Sequence, residues 1–305
     1  MQARRILITG GSGFIGSAIA RRLASSDAQI VIPTRDPARA RHLAELPGVE
    51  VVPADIHDPV TLQKLVAGTQ AVINLVGVLH SKSGRPWGPD FDRAHVALPR
   101  ALVAACHEAG TPRLIHVSAL GADPQGPSEY QRSKAAGEAA VRAGGETPAW
   151  TILRPSVVFG PGDSFLNLFA QLTKFIPVLP LAGAGTRFQP VFVGDVAEVV
   201  VRCLEDAGTC GQTFELAGPN TYTLAELVRY VCRTTGRSRL VFGLPEPLAM
   251  LQAAAMELLP QPPMSRDNVR SLRVDNVATA APLPFGLEPT ALEDIAPGYL
   301  AGPTH

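Results

Sequence analysis

The chain has 305 residues, 46% of them hydrophobic, which suits one large α/β domain or one domain with a smaller appendage. Lys plus Arg and Asp plus Glu both number 27, so no global charge draws the chain to nucleic acid, and the four cysteines (Cys106, Cys203, Cys210, Cys232) show neither a C-x-x-C pair nor metal spacing. No apolar run reaches the ~20 residues of a membrane span, and the first strand begins too early for a signal or transit peptide, so a soluble, cytoplasmic chain without a metal site is expected.

Arg4 to Thr9 is a short apolar run that reads as a buried parallel strand. Gly10-Gly11-Ser12-Gly13-Phe14-Ile15-Gly16 follows, and Ser17 to Leu23 has helical periodicity. Strand, glycine turn and helix form the context a dinucleotide fingerprint needs, here spaced G-x-x-G-x-x-G. Gly10 makes the tight turn, Gly13 lets backbone approach a pyrophosphate, and Gly16 lets the helix pack on the strand. With Ser12, Phe14 and Ile15 these residues are the candidate phosphate cradle, at a helix end that favours anions. The bland alternative is a glycine-rich turn without a ligand, which the strand–helix context disfavours.

A second strand, Gln29 to Pro33, ends at Thr34-Arg35-Asp36. An acidic residue just past this strand binds the ribose of NAD, whereas arginine accepts the 2′-phosphate of NADP. Arg35 holds that place and favours NADP(H), with NAD(H) left open. Asp36 is expected to cap the next helix, which carries Arg39 and Arg41, ahead of Pro37. The third strand, Val49 to Ile56, brings Asp55 to an adenine amino group and Ile56 to the ring. After a helix over Pro59–Val66, a fourth strand runs Gln70 to Gly77, and backbone at Asn74, Val76 and Gly77 is expected beside the nicotinamide ribose. A loop over 78–92 precedes a helix from Asp92 to Ala109 ended by Gly110, and the fifth strand covers Arg113–Ser118. Alternating strands and helices predict a doubly wound parallel α/β sheet of the Rossmann type, with ligands at the strands' carboxyl ends.

Ser128-Glu129-Tyr130-Gln131-Arg132-Ser133-Lys134 contains Tyr-x-x-x-Lys. Four residues apart on a helix, the Lys134 ammonium stands near the Tyr130 phenol and is expected to lower its pKa. A phenol so tuned exchanges protons with a carbonyl or alcohol while nicotinamide moves the hydride.

With these motifs the chain resembles the extended or atypical short-chain dehydrogenases/reductases, the NAD-dependent epimerase/dehydratase-like proteins. The resemblance implies that Tyr130 and Lys134 are catalytic and contact cofactor, and that Ser118, in His116-Val117-Ser118-Ala119-Leu120, supports the substrate oxygen. In sugar-nucleotide members that serine lies one or two residues further on, where this chain has Ala119 and Leu120. The loop after the sixth strand, with Pro155, Val157 and Val158 of Leu153-Arg154-Pro155-Ser156-Val157-Val158-Phe159-Gly160, is implied to flank the nicotinamide. These stretches, together with Gln189 to Ala197, are most similar to the branch holding the nucleotide-binding accessory subunit of respiratory complex I and its bacterial relatives. That resemblance runs through about Leu227 and more weakly to Tyr299-Leu300. It implies a peripheral association with complex I at the inner membrane as one alternative, and a homodimer through two helices as another.

In the last third, a strand at 191–193, a helix over 194–205, a strand at 213–217 and a helix from Thr223 with a Thr223/Glu226 capping box are expected. Residues 1–180 are read as the dinucleotide-binding domain, with elements returning at 186–206, and 207–305 as a small substrate-side subdomain. Asp195 is read as a helix cap, and Arg187 and Gln189 as candidate cleft residues. Leu244–Leu259 is a helix capping the small subdomain or, alternatively, a partner or membrane-surface contact. Arg266, Arg270 and Arg273 are spaced to form one basic face, open to a phosphate-bearing substrate or to solvent. Two functions follow: an NADP(H)-dependent oxidoreductase or epimerase acting through Tyr130 and Lys134 on an unknown small molecule, or a non-catalytic dinucleotide-binding accessory or sensor protein.

Overall fold

The computed structural model describes residues 4–260, 262–280 and 283–301. The first half alternates β1 (Arg5–Thr9), α1 (Phe14–Leu23), β2 (Gln29–Thr34), α2 (Arg41–Ala44), β3 (Val49–Pro53), α3 (Pro59–Val66) and β4 (Ala71–Asn74). A short α4 (Pro89–Phe91) leads through a π-helical segment, Asp92–Ala97, into α5 (Leu98–Ala109), followed by β5 (Arg113–Val117), α6 (Glu129–Arg142) and β6 (Ala149–Pro155). Then come β7 (Val158–Phe159), α7 (Phe165–Phe175), β8 (Val178–Ala182), β9 (Arg187–Phe188), β10 (Val191–Phe192) and α8 (Val193–Glu205). The chain closes with β11 (Gln212–Leu216), β12 (Tyr222–Thr223), α9 (Leu224–Thr234), β13 (Leu240–Leu244), α10 (Glu246–Met256), α11 (Arg266–Ser271), α12 (Leu292–Ile295) and α13 (Pro297–Leu300).

Seven parallel strands form the central sheet in the order β11-β6-β5-β4-β1-β2-β3, so the order reverses between β1 and β4. Both faces are covered, which explains the unbroken apolar runs of the strands. Ile6, Ile8, Ile30 and Ile32 point to one face against Ile19 of α1 and Val196 and Val200 of α8. Leu7, Val31 and Val72 point to the other, against Leu62 of α3, Leu102 of α5 and Val141 of α6. Each such side chain stabilises the fold by roughly 1.5–3 kcal/mol through burial.

The expected single helix over 92–109 is interrupted. Pro99 has no N–H to donate to the His95 carbonyl one turn earlier, and the chain widens into the π-helical turn just before it. The His95 carbonyl then abuts α6 so closely that a Cβ on Gly137 would lie 2.0 Å from its oxygen. Gly110 ends α5 in the left-handed conformation, as expected.

The other differences lie in the C-terminal third. The strand at 212–216, assigned to the small unit on sequence, is the outer strand of the large sheet beside β6, whereas β8 leaves that sheet to pair with β13. Asp195 does not cap α8, whose N-cap is Phe192; from the first turn its carboxylate accepts hydrogen bonds from Thr290 N (2.8 Å) and Oγ1 (2.9 Å). Asp36 reaches only Arg39 N, at 3.4 Å, and α2 starts later, at Arg41. Arg266, Arg270 and Arg273 do not form a free basic face, because each is paired with an acid: Glu257 (2.9 Å), Asp267 (3.7 Å) and Glu246. The Thr223/Glu226 capping box is present on α9. No helix among the described residues is long and apolar enough to cross a membrane.

Candidate functional site

The carboxyl ends of β1, β4, β5 and β6 bring most of the singled-out residues to one edge. Gly10 has φ +75°, a conformation that L side chains rarely adopt, and so makes the turn. A Cβ on Gly16 would sit 2.5 Å from Gly11 Cα, which is why α1 can start pressed against the turn of Gly10 and Gly11 that follows β1. Gly13 is exposed at the N-cap of α1. That helix has no side-chain cap and no acid in its first turn, so no side chain among the described residues caps the amides of Phe14 and Ile15 beside Ser12. An uncapped, acid-free helix start behind a glycine cradle fits a diphosphate.

Gly77 is exposed past the end of β4, and a Cβ built on it would lie 3.6 Å from His95 Nε2 and 3.9 Å from Lys134 Nζ. Lys134 is buried and donates to the Val117 carbonyl at 3.0 Å. Burial pulls its ammonium down to about 8, against a smaller opposing effect of Glu138. One turn earlier on α6, Tyr130 packs edge-on to His95 with ring centroids 5.4 Å apart. Burial pushes the Tyr130 phenol up to about 12, so the expected lowering by Lys134 is not what this arrangement gives.

His95 carries no sequence signal as a site residue, yet it organises this corner. Its Nε2 accepts from Val78 N (3.0 Å), its Nδ1 meets Ser133 Oγ (2.8 Å), and its ring stacks on Phe91. Accepting at one ring nitrogen fixes the other as the donor. Burial, with Lys134 adding to it, drives its pKa down to about 2, so the ring is neutral.

Asn74 is buried, and its side chain works inside the protein. Its amide oxygen accepts from Thr9 Oγ1 (2.9 Å) and Val76 N (3.2 Å), while its amide nitrogen meets His116 Nδ1 (3.1 Å). This chain links β1, β4 and β5 at the point where the strand order reverses. His116 is likewise neutral, pushed down to about 3 by burial. Beneath Lys134, on the same helix, Glu138 takes a two-pronged hydrogen bond from Arg154 (2.7 Å each) and one from Arg142 (2.9 Å). Burial would push the Glu138 carboxyl up, but Arg154, the facing Ser118 hydroxyl and Arg142 together hold it below the usual range. The buried Ser118 Oγ faces Glu138 but makes no well-aligned hydrogen bond among the described residues. Ala119 and Leu120 offer no hydroxyl in its place, and Leu120 N is bonded to Pro155 O.

Past β2, Arg35 is exposed and joins no ion pair among the described residues; beyond β3, Asp55 accepts from His57 N (3.0 Å) and lies 3.6 Å from Arg93. Ile56 packs on the core below. Burial lowers the His57 pKa, with Arg93 and Arg35 adding to it, so Arg35, Arg93, Asp55 and His57 share one corner.

Two further residues hold the site from a distance. Asp267 of α11 accepts from Glu129 N (2.7 Å) and Tyr130 N (3.0 Å), adding a carboxylate to the start of the helix that carries Tyr130 and Lys134. Asn276 takes Ser156 Oγ (2.6 Å) and Val157 N (3.1 Å) on its side-chain oxygen, fixing the loop between Pro155 and Val158. Neither lies in a local motif, so only a sequence separation of more than a hundred residues closed in space reveals them. Arg187 and Gln189 serve this same joint rather than an open cleft: Arg187 pairs with Asp275 (2.8 Å), and Gln189 bonds Gly218 O (2.7 Å) and Ala278 N (3.1 Å). A groove of about 1040 Å³ lies at the opposite ends of the strands, beside Arg4, Leu23, Glu198 and Leu204, and holds none of these residues.

The model of the NAD dependent epimerase/dehydratase family matches residues 6–217. Subunit 9 of the NADH dehydrogenase (ubiquinone) 1 alpha subcomplex from mouse mitochondria is 35% identical over 94% of this chain and 77% of its own length. A ceramide reductase of Caulobacter vibrioides is 32% identical over 82% and 76%. Among solved structures, an NADPH-dependent quinone oxidoreductase from Escherichia coli complexed with NADPH superposes with TM-score 0.76 over 97% of this chain and 99% of that one, at 21% identity.

Proposed function

The chain belongs to the NAD dependent epimerase/dehydratase family, and within it we propose that it is an NADP(H)-dependent reductase whose proton donor is Tyr130. The observation that carries this reading is the buried Lys134 ammonium, which joins no ion pair among the described residues, spends one donor on Val117 O and stands at the opening beside Gly77. A buried cation without a partner is costly, and the two donors it keeps suit the ribose hydroxyls of a dinucleotide lying along the edge. The glycine cradle would hold the diphosphate, and Arg35 the 2′-phosphate. A bound nicotinamide supplies the hydride. Tyr130 then gives its proton to the substrate oxygen; at about 12 its phenol is still a stronger acid than the alcohol that forms. The same raised value keeps the phenol protonated at neutral pH, as a proton donor requires.

Turnover of NADPH by the purified protein with a panel of ketones, aldehydes and quinones tests this. Tyr130→Phe is expected to lower kcat at least about 100-fold while leaving NADPH affinity within about twofold. Undiminished turnover in that variant would falsify the assignment. A second reading, a dinucleotide-stabilised accessory protein of a respiratory complex, is favoured by the 35% identity to the mouse subunit and by the Ser118 hydroxyl facing Glu138. It predicts NADPH that co-purifies and is consumed with no member of the panel.

A further inference from the structure

We propose that the face built by the end of α7, the start of β8 and β13 docks the protein onto a lipid bilayer bearing anionic headgroups. No acid occurs between Asp163 and Asp195 or between Glu226 and Glu246, yet these two stretches carry Lys174, Arg187, Arg229, Arg233, Arg237 and Arg239. In a chain of zero formal net charge that is a marked local imbalance. The fold then brings the two stretches together. β8 and β13 pair in parallel with Val178 opposite Leu240, and Leu240 N bonds Pro177 O at 3.1 Å. Arg237 and Arg239 reach back to the last turn of α7, donating to Ala170 O (2.9 Å) and Thr173 O (2.8 Å).

Around this joint, large apolar side chains face solvent: Phe175 is 85% exposed, Leu240 62%, Val178 and Phe242 each 42% and Ile176 38%. Scattered apolar side chains on a surface need no explanation, but five gathered on one joint do. Lys174, Arg237 and Arg239 border the joint without an ion-pair partner among the described residues. On the far side of α9, Tyr230 faces Glu293 and Asp294 as well as Arg233, so acids offset Arg233 there and the cations of the joint itself are Lys174, Arg237 and Arg239. Exposed aromatic and aliphatic tips with cations at their flank match a boundary that is apolar within and negative at its face, as an anionic bilayer is. An acidic protein groove would satisfy the cations too, but the alternation of several apolar tips with cations along one joint matches the layered boundary of a bilayer. This inference does not depend on the proposed reaction.

Co-sedimentation of the full chain with vesicles of phosphatidylcholine containing about 30% phosphatidylglycerol, against phosphatidylcholine alone, tests it. Binding is expected to the anionic vesicles and to weaken steeply with salt. Lys174→Gln should weaken it about fivefold and Phe175→Ser about tenfold, both at exposed positions where folding is untouched. Leu258→Ser, at a side chain as exposed but next to Glu257, should change nothing. Absence of binding, equal binding to neutral vesicles, or loss on Leu258→Ser rather than Phe175→Ser would overturn the proposal; the first of these would leave the face to an acidic protein partner.

Discussion

Arg35 and Glu138 show how differently two charges act at the level of single residues. Arg35 is exposed and unpaired among the described residues, so it contributes little to folding and is free to bind a phosphate. Arg35→Asp is therefore expected to leave the melting temperature almost unchanged while weakening NADPH at least about tenfold relative to NADH, read by titration of both nucleotides. An unaltered NADPH preference would remove Arg35 from the cofactor site. Glu138 is the opposite case. Its carboxylate is fully enclosed and takes hydrogen bonds from Arg154 and Arg142. Removing the acid would strand a partly buried guanidinium, which is why this pair belongs to the helix carrying Lys134 and not to the chemistry.

At the scale of elements, α6 is where the proposed reaction and the fold meet. Ser128 and Gln131 close a capping box at its start, Glu129 holds Gly84 N (3.1 Å) and Gly88 N (2.8 Å) of the loop between β4 and α4, and Asp267 arrives from α11. A carboxylate at a helix start gains from both the free amides and the dipole. Asp267→Ala is expected to cost about 1–2 kcal/mol in urea unfolding. Because it also frees the backbone at Tyr130, it should lower kcat more than it raises KM for NADPH. A variant equally destabilised but with full kcat would show that Asp267 only caps. The π-helical turn plays a matching part on the neighbouring helix, since it sets His95 against Tyr130 and Gly77.

For the whole molecule, the polar groups buried under the site make stability depend on pH. His95 and His116 are held neutral, at about 2 and about 3 against 6.5 for a free imidazole. Their folded values are depressed, so between those values and 6.5 the unfolded chain binds more protons. Their contribution is complete above 6.5 and is lost as pH falls below it, by up to about 1.4 kcal/mol per pH unit for each ring. Urea unfolding at about pH 7.5 and pH 5.5 should show a steep loss on acidification, and His95→Gln should reduce that slope by about half whatever it does to absolute stability. A flat profile in the wild-type chain would mean that both rings take up protons in the folded state.

The parallel α/β sheet, the glycine turn, the close seat of Gly16 on that turn and the Thr223 capping box were all legible in the residues, because each depends on neighbours within a few positions. Strand runs that are apolar on both faces, and a helix start after Gly13, announce themselves by spacing alone. The Tyr-x-x-x-Lys pair was legible for the same reason, as one turn of helix. What spacing could not supply was surroundings. That Tyr130 is raised rather than lowered, that Ser118 faces Glu138, that Arg266, Arg270 and Arg273 are spent on acids, and that β11 joins the large sheet all follow from partners brought together across the fold. Burial and pairing are properties of space, and a pKa, a free charge or an open cleft is decided only when the distant elements close around it.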